Sequence, residues 1–240
     1  MLRFLRNNPI ATLFIVFMAA QALLGGRFAH PIEWLMSMLI MLPGIVIGLS
    51  FHEFAHAKVS TMLGDDIPKF QGRVTINPAA HIDPIGFISL MFIGFGWGKP
   101  VEINPANYKH PRRDEFFVAI AGVVMNFILA IVFVGIFRLL VQFAPEFILY
   151  SSVGTIVKDI LLSIVSTNIV LMIFNLLPIP PLDGFNIVTQ VFNLRNTNFY
   201  YQVYDKGFAI LLLLMLFNIT DRILVPAMNF VYGIIFNIFF

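Results

Sequence analysis

The sequence predicts an all-α polytopic membrane protein, with about five full transmembrane helices, a re-entrant segment and a small β-sheet at the cytoplasmic side. Three observations carry that expectation. Hydrophobic residues make up 59% of the 240 positions and charged residues 12%, against about 25% charged in a soluble domain. Mean hydropathy is +0.87, and several apolar runs are long enough to cross a bilayer. A basic cluster falls between those runs, where it orients them. The net charge of +2 leaves no electrostatic footprint for nucleic acid. The lack of cysteine excludes disulfides, thiolate metal sites and a cysteine nucleophile.

The elements follow in order. Met1–Arg6 resembles the basic start of a signal peptide, but the apolar run Pro9–Gly25 ends in Gly25-Gly26-Arg27 without a small-x-small cleavage site. It reads as a retained first span. The second span, Trp34–Leu63, has thirty residues. It covers ~45 Å against a hydrocarbon core of ~30 Å, so it is tilted or projects. Gly64-Asp65-Asp66 closes it. Pro84–Trp97 is short and broken by Gly86, Gly94 and Gly96, which suits a re-entrant piece. Phe116–Phe143 and Val153–Leu177 are further spans. The latter stops at Pro178-Ile179-Pro180-Pro181, with a short helix after Gly184. The last span is expected over 208–240, with a kink at Pro226. Together these make a single domain, 1–240, with a core of about 34–194 and peripheral spans at 9–25 and 208–240.

Basic residues set the orientation. With the N-terminus inside and 84–97 dipping in and returning, Arg3, Arg6, Lys69, Arg73, Lys99, Lys109, Arg112, Arg113, Arg195 and Lys206 all lie inside. A full crossing by 84–97 would put Lys109–Arg113 outside, against the positive-inside rule. The same layout puts the C-terminus outside. Phe70–Asn77 and Pro100–Asn104 alternate polar and apolar residues and end in Asn-Pro. They read either as paired strands of a small sheet at the inner surface or as two loops.

One motif carries chemistry. His52-Glu53-Phe54-Ala55-His56 puts two histidines at i and i+4 on one helix face, where both imidazoles can meet one Zn²⁺. Glu53 is turned ~100° from His52, placed to take a proton from the metal's water as it attacks a carbonyl. Such ionisable residues inside an apolar span cost ~2.5–3.5 kcal/mol each and are functional by default. A catalytic zinc needs a third protein ligand. Glu102, Glu115 and Glu146 lie near loops or interfaces, and His81 and His110 read as surface or structural. Asp183 sits in Asn175-Leu-Leu-Pro178-Ile-Pro180-Pro181-Leu-Asp183-Gly184. That is either a plain turn or a site built on backbone freed at membrane depth.

His52–His56 followed by Asn175-x-x-Pro178-x-Pro180-x-x-Asp183-Gly184 resembles the site-2 protease family of intramembrane zinc metalloproteases, in its short prokaryotic branch. Asn77-Pro78 with His81-Ile-Asp-Pro-Ile-Gly86, Gly96-Trp-Gly-Lys-Pro-Val101 with Asn104-Pro105, and Ala121-Gly122-x-x-x-Asn126 extend the likeness over about 40–190. Val123 stands where many members have proline. The resemblance implies one Zn²⁺ per chain held by His52, His56 and Asp183, with Glu53 as general base. It implies that Asn175 holds the substrate or its oxyanion, and that Asn126 supports the site or the substrate backbone. It also implies hydrolysis of peptide bonds in or near single-span membrane substrates, in the cytoplasmic membrane of a prokaryote. No PDZ-like domain is seen, so selection falls to the bundle, the sheet or a regulatory membrane partner. A catalytically silent scaffold and a metal transporter are the alternatives. The complete set of four residues argues against the first, and a single compact cluster against the second.

Overall fold

A computed structural model of the protein describes residues 12, 16, 20, 23, 29–93 and 96–240. The span expected over 9–25 lies essentially outside the described residues. Among the described residues five helices are long and apolar enough to cross a membrane.

Helix α1 (Pro31–Met62) starts on a proline at its first turn, where a missing N–H costs nothing. Its inward ridge recurs every fourth residue as Gly44, Gly48, His52, His56 and Ser60, all buried. Two short turns follow, α2 (Ile67–Phe70) and α3 (Pro78–His81), then α4 (Pro84–Ile93). The second long helix, α5, runs from Pro111 to Phe143, and α6 (Pro145–Tyr150) turns the chain into α7 (Ser152–Asn175). Helices α1, α5 and α7 pack against one another and form the centre of the bundle.

The glycines of α1 let α7 come close. A methyl group at Gly44 would lie 2.8 Å from Thr167 Oγ1, and one at Gly48 would lie 2.7 Å from Leu171 Cδ1. Small residues at four-residue spacing are the usual means of close packing between membrane helices, where lipid gives no hydrophobic drive. The apolar core joins Val123, Ala130 and Val134 of α5 to Val165, Ile169, Met172 and Ile173 of α7.

Helix α8 (Asp183–Phe192) lies against α5. Arg112 holds its far end by donating to the carbonyls of Gln190 at 2.5 Å and Val191 at 2.7 Å. Two further helices, α9 (Asn198–Leu216) and α10 (Ile219–Phe239), occupy the stretch expected as one span over 208–240. The break falls at Asn218, whose φ is 53°, a left-handed conformation that asparagine tolerates better than most residues. Pro226 lies within α10.

The small cytoplasmic β-sheet is not formed. Among the described residues there are no strands, only one isolated antiparallel bridge between Ile82 and Gly98. The backbone donors of the two expected strands are engaged elsewhere. Val101 N–H donates to Glu53 and Asn104 N–H to Asp65, while Arg73 N–H closes onto Pro68 O. The alternation over Phe70–Asn77 instead turns one side chain inward. Arg73 is buried and donates to the carbonyls of Ala80 and Lys99.

The 84–97 piece contains a ten-residue helix of ~15 Å, half the hydrocarbon thickness. Its ends meet through the Ile82–Gly98 bridge and a Lys99 N–H to His81 O bond of 2.7 Å.

Candidate active site

His52 and His56 lie one turn apart near the middle of the inward ridge of α1, and both are buried. Each imidazole is held by its Nδ1. His52 Nδ1–H donates to Asn126 Oδ1 at 2.8 Å, and His56 Nδ1–H donates to the Val118 carbonyl at 2.7 Å. A proton on Nδ1 leaves the Nε2 lone pair free, so both rings face inward as acceptors.

Asp183 joins them from a point 127 residues beyond His56. The polyproline turn after α7 ends at Leu182, and Asp183 opens α8. A carboxylate in a first helical turn is favoured by the helix dipole. Gly184 packs against the carbonyls of Leu176 and Leu177 so closely that a methyl group would overlap them. That contact folds the turn back and fixes where Asp183 stands.

Three ligand atoms converge. His52 Nε2 and His56 Nε2 are 3.0 Å apart, and Asp183 Oδ2 is 3.2 Å and 3.3 Å from them. Tetrahedral Zn²⁺ with ligand bonds of ~2.0–2.1 Å has ligand–ligand edges of about 3.3–3.4 Å. The triangle in the structure therefore has close to the size that ion requires. Asp183 Oδ2 is buried and has no hydrogen-bond donor, a costly state for a carboxylate unless a cation meets it. Two neutral imidazoles and a carboxylate form a donor set suited to a catalytic zinc with a fourth position open. This is the only His/Cys/Asp/Glu cluster among the described residues with metal-binding geometry.

Gly122 of α5 faces both rings. A methyl group there would lie 2.5 Å from His52 Cε1 and His56 Nε2. The α5 backbone is thus a wall of the site, and only glycine leaves room for the imidazoles.

Glu53 points to another flank. Its Oε2 accepts from Val101 N–H at 3.0 Å. Val101 belongs to an extended strap anchored at both ends. Lys99 is tied to His81 and Arg73 on one side. On the other side, Asn104 N–H and Asn107 Nδ2 donate to Asp65 at 2.8 and 2.7 Å. Asp65 is fully buried and accepts from Ser60 and Ile67 as well. Burial alone would raise its carboxyl, but these donors, led by Asn104 N–H, hold it below the usual aspartate range.

His52, His56 and Asp183 are brought together, with Asn126 on His52 and Glu53 beside the cluster. Asn175 is the last residue of α7, half-buried, and its Nδ2 donates to Leu171 O at 3.0 Å within its own helix. Sequence reasoning could not supply the Val118 carbonyl or the Val101 N–H, because backbone groups carry no residue signature. Asp65, read as part of a helix end, proves to be the anchor of the strap.

Residues 147–217, which include Asn175 and Asp183, match the family model described as Peptidase family M50. Three similar proteins carry the name "Putative zinc metalloprotease". YwhC of Bacillus subtilis (strain 168) is 36% identical over 185 residues, covering 77% of this chain and 84% of that protein. Rip2 of Mycolicibacterium smegmatis is 26% identical over 227 residues, covering 90% and 83%. Rip2 of Mycobacterium tuberculosis (strain ATCC 25618 / H37Rv) is 27% identical over 228 residues, covering 92% and 80%. No solved structure matches the chain.

Proposed function

The chain belongs to peptidase family M50, the site-2 protease family, and from that premise we propose how its residues carry out the family's reaction. The protein is an intramembrane zinc metalloprotease. His52, His56 and Asp183 are its zinc ligands and Glu53 its general base. The observation that carries this assignment is the triangle of Nε2, Nε2 and Oδ2 atoms, sized for one tetrahedral ion.

Zinc, when bound, acidifies a water and polarises the scissile carbonyl. The chain's own groups do the rest. Asn126 and the Val118 carbonyl fix the tautomers that keep both Nε2 atoms unprotonated. Val101 N–H holds one carboxylate oxygen of Glu53 and leaves the other free. Glu53 takes a proton from the attacking water as oxygen bonds to the carbonyl carbon. It returns that proton to the amide nitrogen as the C–N bond breaks, so base and acid are one residue. Asn175 has a second amide hydrogen beyond the one given to Leu171, and that hydrogen is suited to the developing oxyanion.

The whole chain, 1–240, acts as one domain, with its catalytic core over about 34–194. The 84–97 piece enters and leaves on one side, supported by its meeting ends and its short helix. The protein works as a multi-pass component of the cytoplasmic membrane of a bacterium, as its bacterial relatives support. Its substrates are single-span membrane proteins, and a membrane partner regulates access to them. Selection of the substrate by a small sheet loses its basis, because the described residues form no strand.

The test is cleavage of single-span substrates by the full chain in lipid, comparing wild type with Glu53→Gln. Glu53→Gln should keep zinc at one per chain and lose cleavage by about 10²–10⁴-fold, the usual worth of a general base. Unchanged cleavage would overturn the mechanism.

A further inference from the structure

Asn126 uses only half of its carboxamide on His52. Its Oδ1 accepts from the ring, while its Nδ2 is buried with no partner. Asn168 of α7 shows the complementary remainder. Its Nδ2 donates to Ile164 O at 2.8 Å, while its Oδ1 is buried with no partner. Both residues are 0% exposed. One orphan is a donor and the other an acceptor, and a buried polar group left unpaired is costly.

The two side chains also sit at one depth. Helices α5 and α7 run back past each other from the α6 turn. Asn126 is 17 residues from the α6 end of α5, and Asn168 is 16 residues from the α6 end of α7. At 1.5 Å per residue both lie ~25 Å from that turn. Val123 and Ala130 bracket Asn126, and Val165, Ile169 and Met172 bracket Asn168, all in one packed cluster. On α1, Asn126 meets His52, while Asn168 Oδ1 lies 3.4 Å from where a methyl group on Gly48 would stand. Gly48 and His52 are one turn apart, ~6 Å along the axis, about the span of two hydrogen bonds through one water.

We propose that Asn168 is a positioning residue for His52, acting through a buried water that accepts from Asn126 Nδ2–H and donates to Asn168 Oδ1. Asn168 is fixed by Ile164 O, so the relay selects which end of the Asn126 carboxamide faces the ring. Were that carboxamide reversed, its NH₂ would face His52 Nδ1. The ring would then carry its proton on Nε2, pointing into the metal position. The inference rests on the reading of His52 as a zinc ligand.

The test uses the full chain in lipid nanodiscs. Zn²⁺ affinity is measured by chelator competition, and the ligand field by the visible spectrum of the Co²⁺-loaded protein. The proteins are wild type, Asn168→Leu, Asn126→Leu and the double variant. Asn168→Leu, equal in heavy-atom count but without an acceptor, should weaken zinc about threefold to tenfold and alter the Co²⁺ spectrum. That is less than the ~10–100-fold loss on removing a ligand's direct partner. In the Asn126→Leu background it should add nothing. Wild-type affinity and spectrum in Asn168→Leu, or an equal loss in both backgrounds, would overturn the proposal. If Asn168→Leu does not fold, Asn168→Val, smaller and likewise without an acceptor, carries the same comparison. Wild type without zinc would overturn the reading of the site, whereas zinc-loaded wild type with a silent Asn168→Leu overturns only the role of Asn168.

Discussion

Replacing Gly122 by alanine tests whether α5 forms a wall of the metal site. The added methyl would stand 2.5 Å from His52 Cε1 and His56 Nε2 and 2.7 Å from His52 Nδ1. Ordinary contacts of this kind begin near 3.4 Å, so the rings or the helix must give by about 0.9 Å. Metal–ligand distances tolerate only about ±0.2 Å. Overpacking of this kind costs about 1–3 kcal/mol, which is about 5- to 150-fold in an equilibrium constant. Alanine is also the better helix former, by up to ~1 kcal/mol, so the metal-free fold should change little. Gly122→Ala should therefore lose zinc affinity by about 5- to 150-fold in chelator competition, while its metal-free melting temperature stays near that of wild type. Wild-type zinc affinity would refute the reasoning, because α5 would then have room the structure denies it.

Two further outcomes follow from particular contacts. Asn126→Leu removes the acceptor of His52 Nδ1–H and should cost about 10–100-fold in zinc affinity, measured by the same competition; a change below twofold would remove Asn126 from the site. Asp65 has a carboxyl held below the usual range in the folded state. Its contribution to stability is therefore complete above the unfolded-state value near pH 4 and is lost as pH falls through the lower folded value. Thermal unfolding should show wild type losing stability below about pH 4 more steeply than Asp65→Asn; parallel slopes would contradict the anchoring role.

How much of this was legible in the sequence depends on how local each signal is. The helical spacing of His52 and His56 places two imidazoles on one face without further information. The length and hydropathy of α1, α5 and α7 mark them within a few residues of their ends. Asp183 has no periodic link to the histidines, and only the likeness of its Pro-rich turn to a known family brought it to the site. The structure supplies the physical link, a turn folded back by Gly184 against Leu176 and Leu177. Over 208–240 the apolar run hides a helix break, because one left-handed residue at Asn218 changes hydropathy very little. The expected sheet failed for a different reason. Alternation over Phe70–Asn77 and Pro100–Asn104 is also what a strap produces when it buries one cation and sends backbone donors to Glu53 and Asp65. Two segments this short give no long-range pattern to separate the cases. Asn168 left a trace that was readable, a polar residue deep in an apolar span, but the role proposed for it depends on a neighbouring helix that sequence spacing does not reveal.

The central claim is that His52, His56 and Asp183 hold one catalytic zinc. Zinc-edge X-ray absorption, with metal content, on wild type and Asp183→Ala in lipid tests it most directly. The expected result for wild type is one zinc per chain with mixed imidazole and oxygen ligands at ~2.0–2.1 Å. Asp183→Ala should lose the metal or one oxygen ligand, together with peptidase activity. Equal zinc content, an unchanged ligand shell and full activity in Asp183→Ala would contradict the claim.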